Sequence, residues 1–434
     1  VDTWQADVVI TSFVQFFETL IGNRNKLLKK FNHLAGSIII LDEVQTLKLD
    51  QLPLIGTALH FLTKFLDARV IAMTATHPKL FELAQEVILD KEEEKVKPYE
   101  LLENYEEVFK LFNRTCIKPI IEDDVTEDAL SYFVEETFPN YWSEDYSCLI
   151  VCNTVKRSIE IFKKLSEDHN INNPTYYLST NIIPKHRMER IEQIKGDLKN
   201  GKKPILIATQ VVEAGVDLDF DMGFRDIGPV DSIIQVAGRI NRNNNPLKTE
   251  SPLYVVDFGD CRKIYGMLTY QQAFNALKDR DFIKEPEYVD IVSGYFENLS
   301  ERSAFDELEE TFKSMKMLKY DGEEDDHPVS SFKIIKESNA TSAVYVELDE
   351  HAKKLRDMYL KKINGDISTE DFARNYKRAF HQHIITVQDV HCSNLPVLHD
   401  KEENVKYIQI EVLTEFYDFN TGFIRNLESK TLML

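Results

Sequence analysis

No stretch of the 434-residue chain approaches the ~18 consecutive apolar residues that a membrane-spanning helix needs, so no membrane partner is expected. The first residues show no basic region followed by an apolar run, so no secretory leader is read. Val1 to Ile10 instead reads directly into a strand, which suggests that the natural chain starts earlier. Cysteine is scarce: Cys116, Cys148, Cys152, Cys261 and Cys392 are scattered, with no C-x-x-C pair. That excludes a disulfide framework and points to a reducing cytoplasm. Cys148 and Cys152 flank an apolar run and read as core residues. Positive charge is also in short supply, with 52 Lys and Arg against 73 Asp and Glu, a formal net charge of -21. This argues against a globally basic, sequence-independent duplex binder. It leaves room for a protein that grips a nucleic-acid strand in a local groove of amides, hydroxyls and a few basic groups. A phosphate-cradling loop is missing too. Gly196-Asp-Leu-Lys-Asn-Gly201-Lys202-Lys203 comes close, but Lys203 stands where Ser or Thr is needed. The string also follows a helix and precedes a strand, the reverse of the required order, and reads as a helix end with glycine at the C-cap.

What is present falls into three blocks. Up to about Asp90, short apolar strands alternate with helices; Asp7–Ile10, Ser37–Leu41 and Arg69–Met73 read as strands buried on both faces. The charged stretch Asp90–Lys97, ending at Pro98, reads as a connection. From about Glu103 to Gly259 the alternation is clearer. Cys148–Cys152, Thr175–Leu178, Pro204–Ala208 and Leu253–Phe258 read as strands, and Val155–His169, Pro184–Lys199 and Val230–Asn241 as helices. Such alternation implies right-handed crossovers and a doubly wound parallel sheet. Residues from Lys263 to about Lys319 look helical, Asp321–Asp326 reads as a solvated acidic loop, and a small mixed α/β region begins near Phe332.

The sharpest local signal is Ile38-Ile-Ile-Leu-Asp42-Glu43-Val44-Gln45. A buried strand ends in two acids, at the edge where open α/β sheets bind ligands. The first acid can hold Mg²⁺ and the second can orient an attacking water, the chemistry of a nucleoside triphosphatase. One crossover later, Val70-Ile-Ala-Met73 leads into Thr74-Ala75-Thr76, whose hydroxyls can bond the acids or a bound strand. In the second block Ile205-Leu-Ile-Ala208 leads into Thr209-Gln-Val-Val-Glu213-Ala-Gly215-Val-Asp217-Leu-Asp219. There Gly215 permits a tight turn, Thr209 can donate to a phosphate, and Glu213 and Asp217 are expected to point at a cleft between domains. Gln235-Val-Ala-Gly238-Arg239-Ile-Asn-Arg242 follows, and on a continuing helix Arg239 and Arg242 would share one face and clamp phosphates.

These four strings occur in the chain order of superfamily 2 helicase motifs II, III, V and VI. The sequence resembles the helicase portion of the CRISPR-associated helicase–nuclease of type I interference systems. Thr11-Ser-Phe-Val-Gln15, and Leu178-Ser-Thr180 followed by Pro184-Lys-His-Arg187, sharpen the resemblance. It implies an α/β fold of two RecA-like doubly wound parallel-sheet domains, the first incomplete, followed by a helical linker and a small C-terminal α/β domain. The expected boundaries are 1–102, 103–260, 261–330 and 331–434. It also implies ATP-driven 3′-to-5′ movement on single-stranded DNA after recruitment to an RNA-guided surveillance complex. By motif, Asp42 becomes the Mg²⁺ ligand and Glu43 the water-activating acid. Gln235, Arg239 and Arg242 become γ-phosphate sensors, with Arg242 as the arginine finger. Gln45, Gly215 and Asp217 fall near the nucleotide. Thr11, Gln15, Thr74, Thr76, Ser179, Thr180 and Thr209 become coupling or strand-contact residues.

Two parts of the family pattern are absent from the sequence. Without a P-loop lysine the chain alone should hydrolyse ATP poorly. The metal-dependent HD nuclease is not seen either and is expected as a partner domain or subunit. His399-Asp400 reads as a loop. His381 and His383, read as one face of a strand, find no carboxylate or cysteine to complete a metal site with His391. Two further readings stand beside the motor: an ATPase-inactive DNA- or complex-binding fragment, and another superfamily 2 translocase such as a restriction motor subunit.

Overall fold

In the computed structural model, which describes residues 3–74, 79–89, 95–121, 128–213, 215–245, 248, 250–303, 305–323, 327–335, 340–401 and 405–425, the chain divides into two units. One comprises Val1–Phe112 and Pro286–Glu337, the other Asn113–Glu285 and Ser338–Leu434.

In the first unit the run Ile38-Ile-Ile-Leu41 forms strand β1 (Ile38–Leu41). Strand β2 (Arg69–Ala72) lies parallel to it, Ile38 opposite Arg69 and Leu41 opposite Ala72. The connection is the helix Leu52–Leu66, which starts with Pro53 in its first turn and buries Leu52, Leu54, Ile55 and Leu59 completely. Pro suits that position because its missing N–H has no helical partner there. The core extends to Phe312, Phe332 and Ile334 from the later segment, and Gln51 Nε2 donates to Lys333 O and Ile334 O at 2.9 and 3.0 Å. The strand expected at Asp7–Ile10 does not form. Those residues are exposed, Ile10 to 96%, and pair with neither β1 nor β2. A run of β-branched residues, Val8-Val9-Ile10, is not enough where no neighbour supplies a ladder and a covering layer. Part of the acidic run, 324–326, lies outside the described residues.

In the second unit, seven strands form one sheet: β3 (Thr115–Ile120), β4 (Cys148–Val151), β5 (Thr175–Leu178), β6 (Ile205–Ala208), β7 (Met222–Asp226), β8 (Ser251–Val256) and β9 (Ile283–Lys284). Their order is β5-β6-β4-β7-β8-β3-β9, parallel throughout except for β9, which runs antiparallel to β3. Strands β4, β6 and β7 are buried at every position, as a doubly covered parallel sheet requires. Helices Val155–Glu167 and Pro184–Lys199 make the crossovers, so the α/β reading holds. All five cysteines are buried thiols, Cys148 and Cys152 among the core residues.

The later part of this unit is a three-stranded sheet of β10 (Thr341–Val346), β11 (Ile384–Gln388) and β12 (Val405–Ile408) in the order β11-β10-β12. A short hairpin follows, β13 (Tyr417–Asp418) and β14 (Gly422–Phe423). His381 ends the helix Lys377–His381 and His383 precedes β11, so the two do not share a strand face. Among the described residues no group of three or more His, Cys, Asp or Glu could hold a metal, and no helix is long and apolar enough to cross a membrane.

Candidate functional site

The first group of candidate residues stands at the C-terminal ends of β1 and β2. Asp42 and Glu43 are both exposed there. Glu43 adopts φ 58°, ψ 45°, a left-handed conformation that costs a residue with a Cβ roughly 1–2 kcal/mol. Its carboxylate Oε2 accepts from Gln45 Nε2 at 2.5 Å, and Gln45 Oε1 accepts from Thr74 Oγ1 at 2.5 Å. Gln45 itself is buried. A side-chain relay Thr74–Gln45–Glu43 therefore joins the two strand ends and holds the second acid. Asp42 makes no hydrogen bond or ion pair among the described residues. A single exposed, unengaged carboxylate suits Mg²⁺, which keeps several of its waters. Thr76 lies outside the described residues. Thr11 and Gln15 are exposed at the start of the helix Phe13–Ile21, Thr11 Oγ1 donating to Gln15 Oε1 at 2.8 Å.

The second group is built around the loop that follows β6. Thr209 is buried, its N–H donating to Leu178 O at 3.1 Å. Gln210 Nε2 donates to Asn153 O and to the Tyr265 hydroxyl. Glu213, expected to point at a cleft between domains, is engaged within the second unit. Its Oε1 accepts from Arg225 Nη2 at 3.1 Å and from Ser232 Oγ at 2.8 Å. Arg225, on β7, is fully buried and also donates to Asn153 Oδ1 (2.7 Å), Asp226 O (2.8 Å) and Ser232 Oγ (2.9 Å). One guanidinium thus ties together the end of β4, the end of β7, the loop after β6 and the first turn of the helix Val230–Ala237. A buried charge persists only when paired and hydrogen-bonded in this way. Burial pushes the nearby carboxyls of Asp226, to about 7, and Asp231, to about 6, above the usual range. Burial likewise raises Glu213, with Arg225 opposing it.

The helix carrying Gln235 ends at Ala237, short of the expected Asn241, so Arg239 and Arg242 do not share a helical face. Ile240 pairs instead with Phe220, through Phe220 N–H to Arg239 O and Asn241 N–H to Phe220 O, and Asn241 turns the chain away at φ 46°. The two arginines consequently differ. Arg239 donates Nε to Val212 O at 3.1 Å and Nη2 to Glu213 O at 2.6 Å, holding the loop. Arg242 is 39% exposed and pairs through Nε with Asp217 at 3.1 Å, while its N–H is accepted by Asp219 Oδ1. Gly215 is exposed with φ +73°, the turn its side-chain-free backbone permits. Gln235 is half-buried in the last helical turn.

A third group lies at the end of β5. Ser179 is fully buried, and its Oγ accepts the Asn181 N–H at 3.1 Å, so its hydroxyl serves the loop and faces no solvent. Thr180 beside it is exposed. The string Gly196–Lys203 closes the helix Pro184–Lys199; Gly201 has φ +76°, and Lys202 and Lys203 pair with Asp197 and Asp221, each at 2.8 Å.

Sequence reasoning missed Arg225, Asn153, Ser232 and Asn181. Only Arg225 left a trace: an Arg-Asp pair inside the apolar stretch Met222–Ile227 is costly unless it is engaged.

A family model described as "CRISPR-associated nuclease/helicase Cas3, C-terminal" matches residues 144–245. The CRISPR-associated nuclease/helicase Cas3 of Methanothermobacter thermautotrophicus is 28% identical over 242 residues, 55% of this chain and 28% of that protein. Cas3 of Haloferax volcanii is 28% identical over 319 residues, 56% of this chain and 34% of that protein. The chain thus spans about a third or less of these curated relatives. Among solved structures, T. fusca Cas3 with AMPPNP superposes with a TM-score of 0.65 over 92% of this chain and 53% of that one, at 17% identity. A chain of a CRISPR RNA-guided surveillance complex in its pre-nicking state superposes with a TM-score of 0.63 over 94% of this chain and 59% of that one, also at 17% identity. Over part of its length the chain is thus similar to the Cas3 family of CRISPR-associated nuclease/helicases.

Proposed function

We propose that this chain supplies motor residues of an ATP-driven translocase on single-stranded DNA, acting in CRISPR interference beside an RNA-guided surveillance complex and an HD nuclease domain or subunit. The observation that carries the reading is the relay Thr74–Gln45–Glu43 beside the unengaged Asp42. Two acids at a strand end are common, but an acid held in a left-handed turn by a buried glutamine is a built feature. Related structures bear the names of AMPPNP, ATP and ADP, which is the ligand class this edge would take.

In this reading Asp42 holds Mg²⁺, which when bound neutralises charge on the phosphates. Glu43 orients the attacking water and accepts its proton, and Gln45 fixes the direction of that carboxylate. Arg242, exposed and among the described residues paired through its side chain with the exposed Asp217, is the guanidinium proposed to act on charge that develops on a transferring phosphoryl group. Arg239 keeps the loop after β6 in place. In the second unit Thr180, and in the first unit Thr11 and Gln15, are the hydroxyl and amide groups assigned to strand contact in this reading.

The test is steady-state ATP turnover with and without oligo(dT), by this chain alone and with a P-loop-bearing segment added in trans. Little stimulated turnover is expected from the chain alone, and DNA-stimulated turnover from the pair. Glu43→Gln should lower it about 10²-fold or more. Stimulated turnover that survives Glu43→Gln would overturn the assignment.

A further inference from the structure

The hairpin β13–β14 does not pack as an appendage. It grips the segment Leu178–Ile183, which carries Ser179 and Thr180. Asn181, almost wholly buried, spends every hydrogen-bonding group it has on this contact and on its own loop. Its Nδ2 donates to Thr421 O at 2.8 Å and to Phe423 O at 2.7 Å. Its carbonyl accepts the Phe423 N–H at 3.0 Å, its Oδ1 accepts from Arg425 Nε at 3.3 Å, and its N–H donates to Ser179 Oγ. The Ile183 N–H donates to the Tyr417 hydroxyl at 3.3 Å, and Ile183 belongs to the same apolar cluster as Val344, Ile385, Tyr417 and Phe423. Arg190 adds donations to Tyr177 O, Asn420 O and Phe419 O, all at 2.6 Å. The hairpin comes so close that a Cβ on Gly422 would stand 2.1 Å from Asn181 O, and Gly422 has φ +85°. Only glycine meets both demands.

We propose that the C-terminal hairpin is a positioning clamp for Leu178–Ile183, and that it fixes where Thr180 stands for a single-stranded nucleic acid. The proposal rests on the strand-binding part of the function proposed above. Arg187, in the first turn of the helix that follows, is half-buried and makes no side-chain hydrogen bond or ion pair among the described residues. It is the basic group beside this segment left to meet a phosphate. The clamp gives the last part of the chain a role, because the carbonyls that hold the Asn181 side chain lie 240 and 242 residues downstream of it.

The experiment uses the whole 434-residue chain and two readouts: hydrogen–deuterium exchange of residues 178–183, and anisotropy of a labelled oligo(dT). Gly422→Ala should raise exchange across 178–183 and weaken oligo(dT) binding about tenfold. Asn420→Ala, in the same turn but with only its main chain engaged, should change neither. Adding Thr180→Ala to Gly422→Ala should weaken binding no further, since both remove one interaction. If Gly422→Ala does not fold, Asp418→Ala opens the same turn more gently, because Asp418 Oδ1 accepts from Asn420 N–H, Thr421 N–H and Thr421 Oγ1. Raised exchange with unchanged oligo(dT) binding overturns the proposal, as does unchanged exchange. If even the unaltered chain does not bind oligo(dT), the strand-binding reading fails, and exchange alone then upholds or overturns the clamp.

Discussion

Arg225 Nη2 lies 3.1 Å from Glu213 Oε1, where the arginine side chain is fully buried and that of the glutamate is only 13% exposed. This ion pair fixes the loop after β6 from the inside, as Arg239 does through the loop carbonyls. Removing one partner strands the other charge. Arg225→Met is therefore expected to destabilise the second unit by about 3–5 kcal/mol, read as a shift of its urea transition. Arg225→Met combined with Glu213→Leu should recover a large part of that loss. A single-variant loss under about 1 kcal/mol would mean the network holds nothing.

The two arginines of the Gln235–Arg242 string should separate in a melting experiment. Arg242 and Asp217 form an exposed pair, and such pairs contribute about 0–1 kcal/mol, so Arg242→Ala should melt close to the unaltered chain. Arg239 makes charged hydrogen bonds to two main-chain carbonyls, each worth about 1.5–3 kcal/mol, so Arg239→Ala should melt clearly lower. In ATP turnover with the P-loop-bearing segment added in trans, Arg242→Ala should abolish the DNA-stimulated rate while leaving the fold intact.

Asp226 and Asp231 should each take stability from the second unit as pH rises from about 4 towards 7, and His383, which burial lowers to about 4, opposes them over that window. Burial raises Asp226 to about 7 and Asp231 to about 6, against the pull of Arg225 and main-chain N–H groups. Between the ordinary carboxylate value and these values the folded state binds more protons than the unfolded chain, so each group lowers stability with rising pH by up to ~1.4 kcal/mol per pH unit. Glu213, also raised by burial, acts in the same direction. Asp221 has the opposite sign but a lower window. Burial would raise it, yet Lys203, Lys248 and Ser147 hold it down to about 2. Asp226→Asn copies the protonated form and should remove the fall that Asp226 contributes, making the slope of stability against pH more positive between about pH 5 and 7.5. An unaltered slope in denaturant melts at the two pH values would refute the assignment.

Glu43 stores strain in its left-handed backbone. Glu43→Gly should therefore be more stable than Glu43→Ala by about 1 kcal/mol, despite glycine's greater freedom in the unfolded chain. Equal stability of the two variants in thermal melts would show that the turn is not strained.

Much of the second unit could be read from the chain because its signals are local. Strands β4, β5 and β6 are short apolar runs bounded by polar turns, and Pro184 marks the start of its helix where the structure puts it. Strand β7 escaped because Arg225 and Asp226 interrupt its apolar run, and Asp7–Ile10 deceived because a strand-like pattern cannot supply its own neighbour. Arg239 and Arg242 looked like one helical face because nothing within Gln235–Arg242 announces that Ile240 will pair with Phe220.

The sequence by itself determined the order of the motifs, the two acids at the end of β1 and the parallel α/β pattern, since each depends on residues a few positions apart. Only the tertiary structure decided which of these groups are free to act. Ser179, Glu213 and Arg239 are spent on holding loops, whereas Asp42, Thr180 and Arg242 stand exposed. The reason is physical: a polar group is consumed by whichever partner folding brings within hydrogen-bond reach. For Arg225 that partner, Asn153, lies 72 residues away, and for Asn181 the partner Phe423 lies 242 residues away.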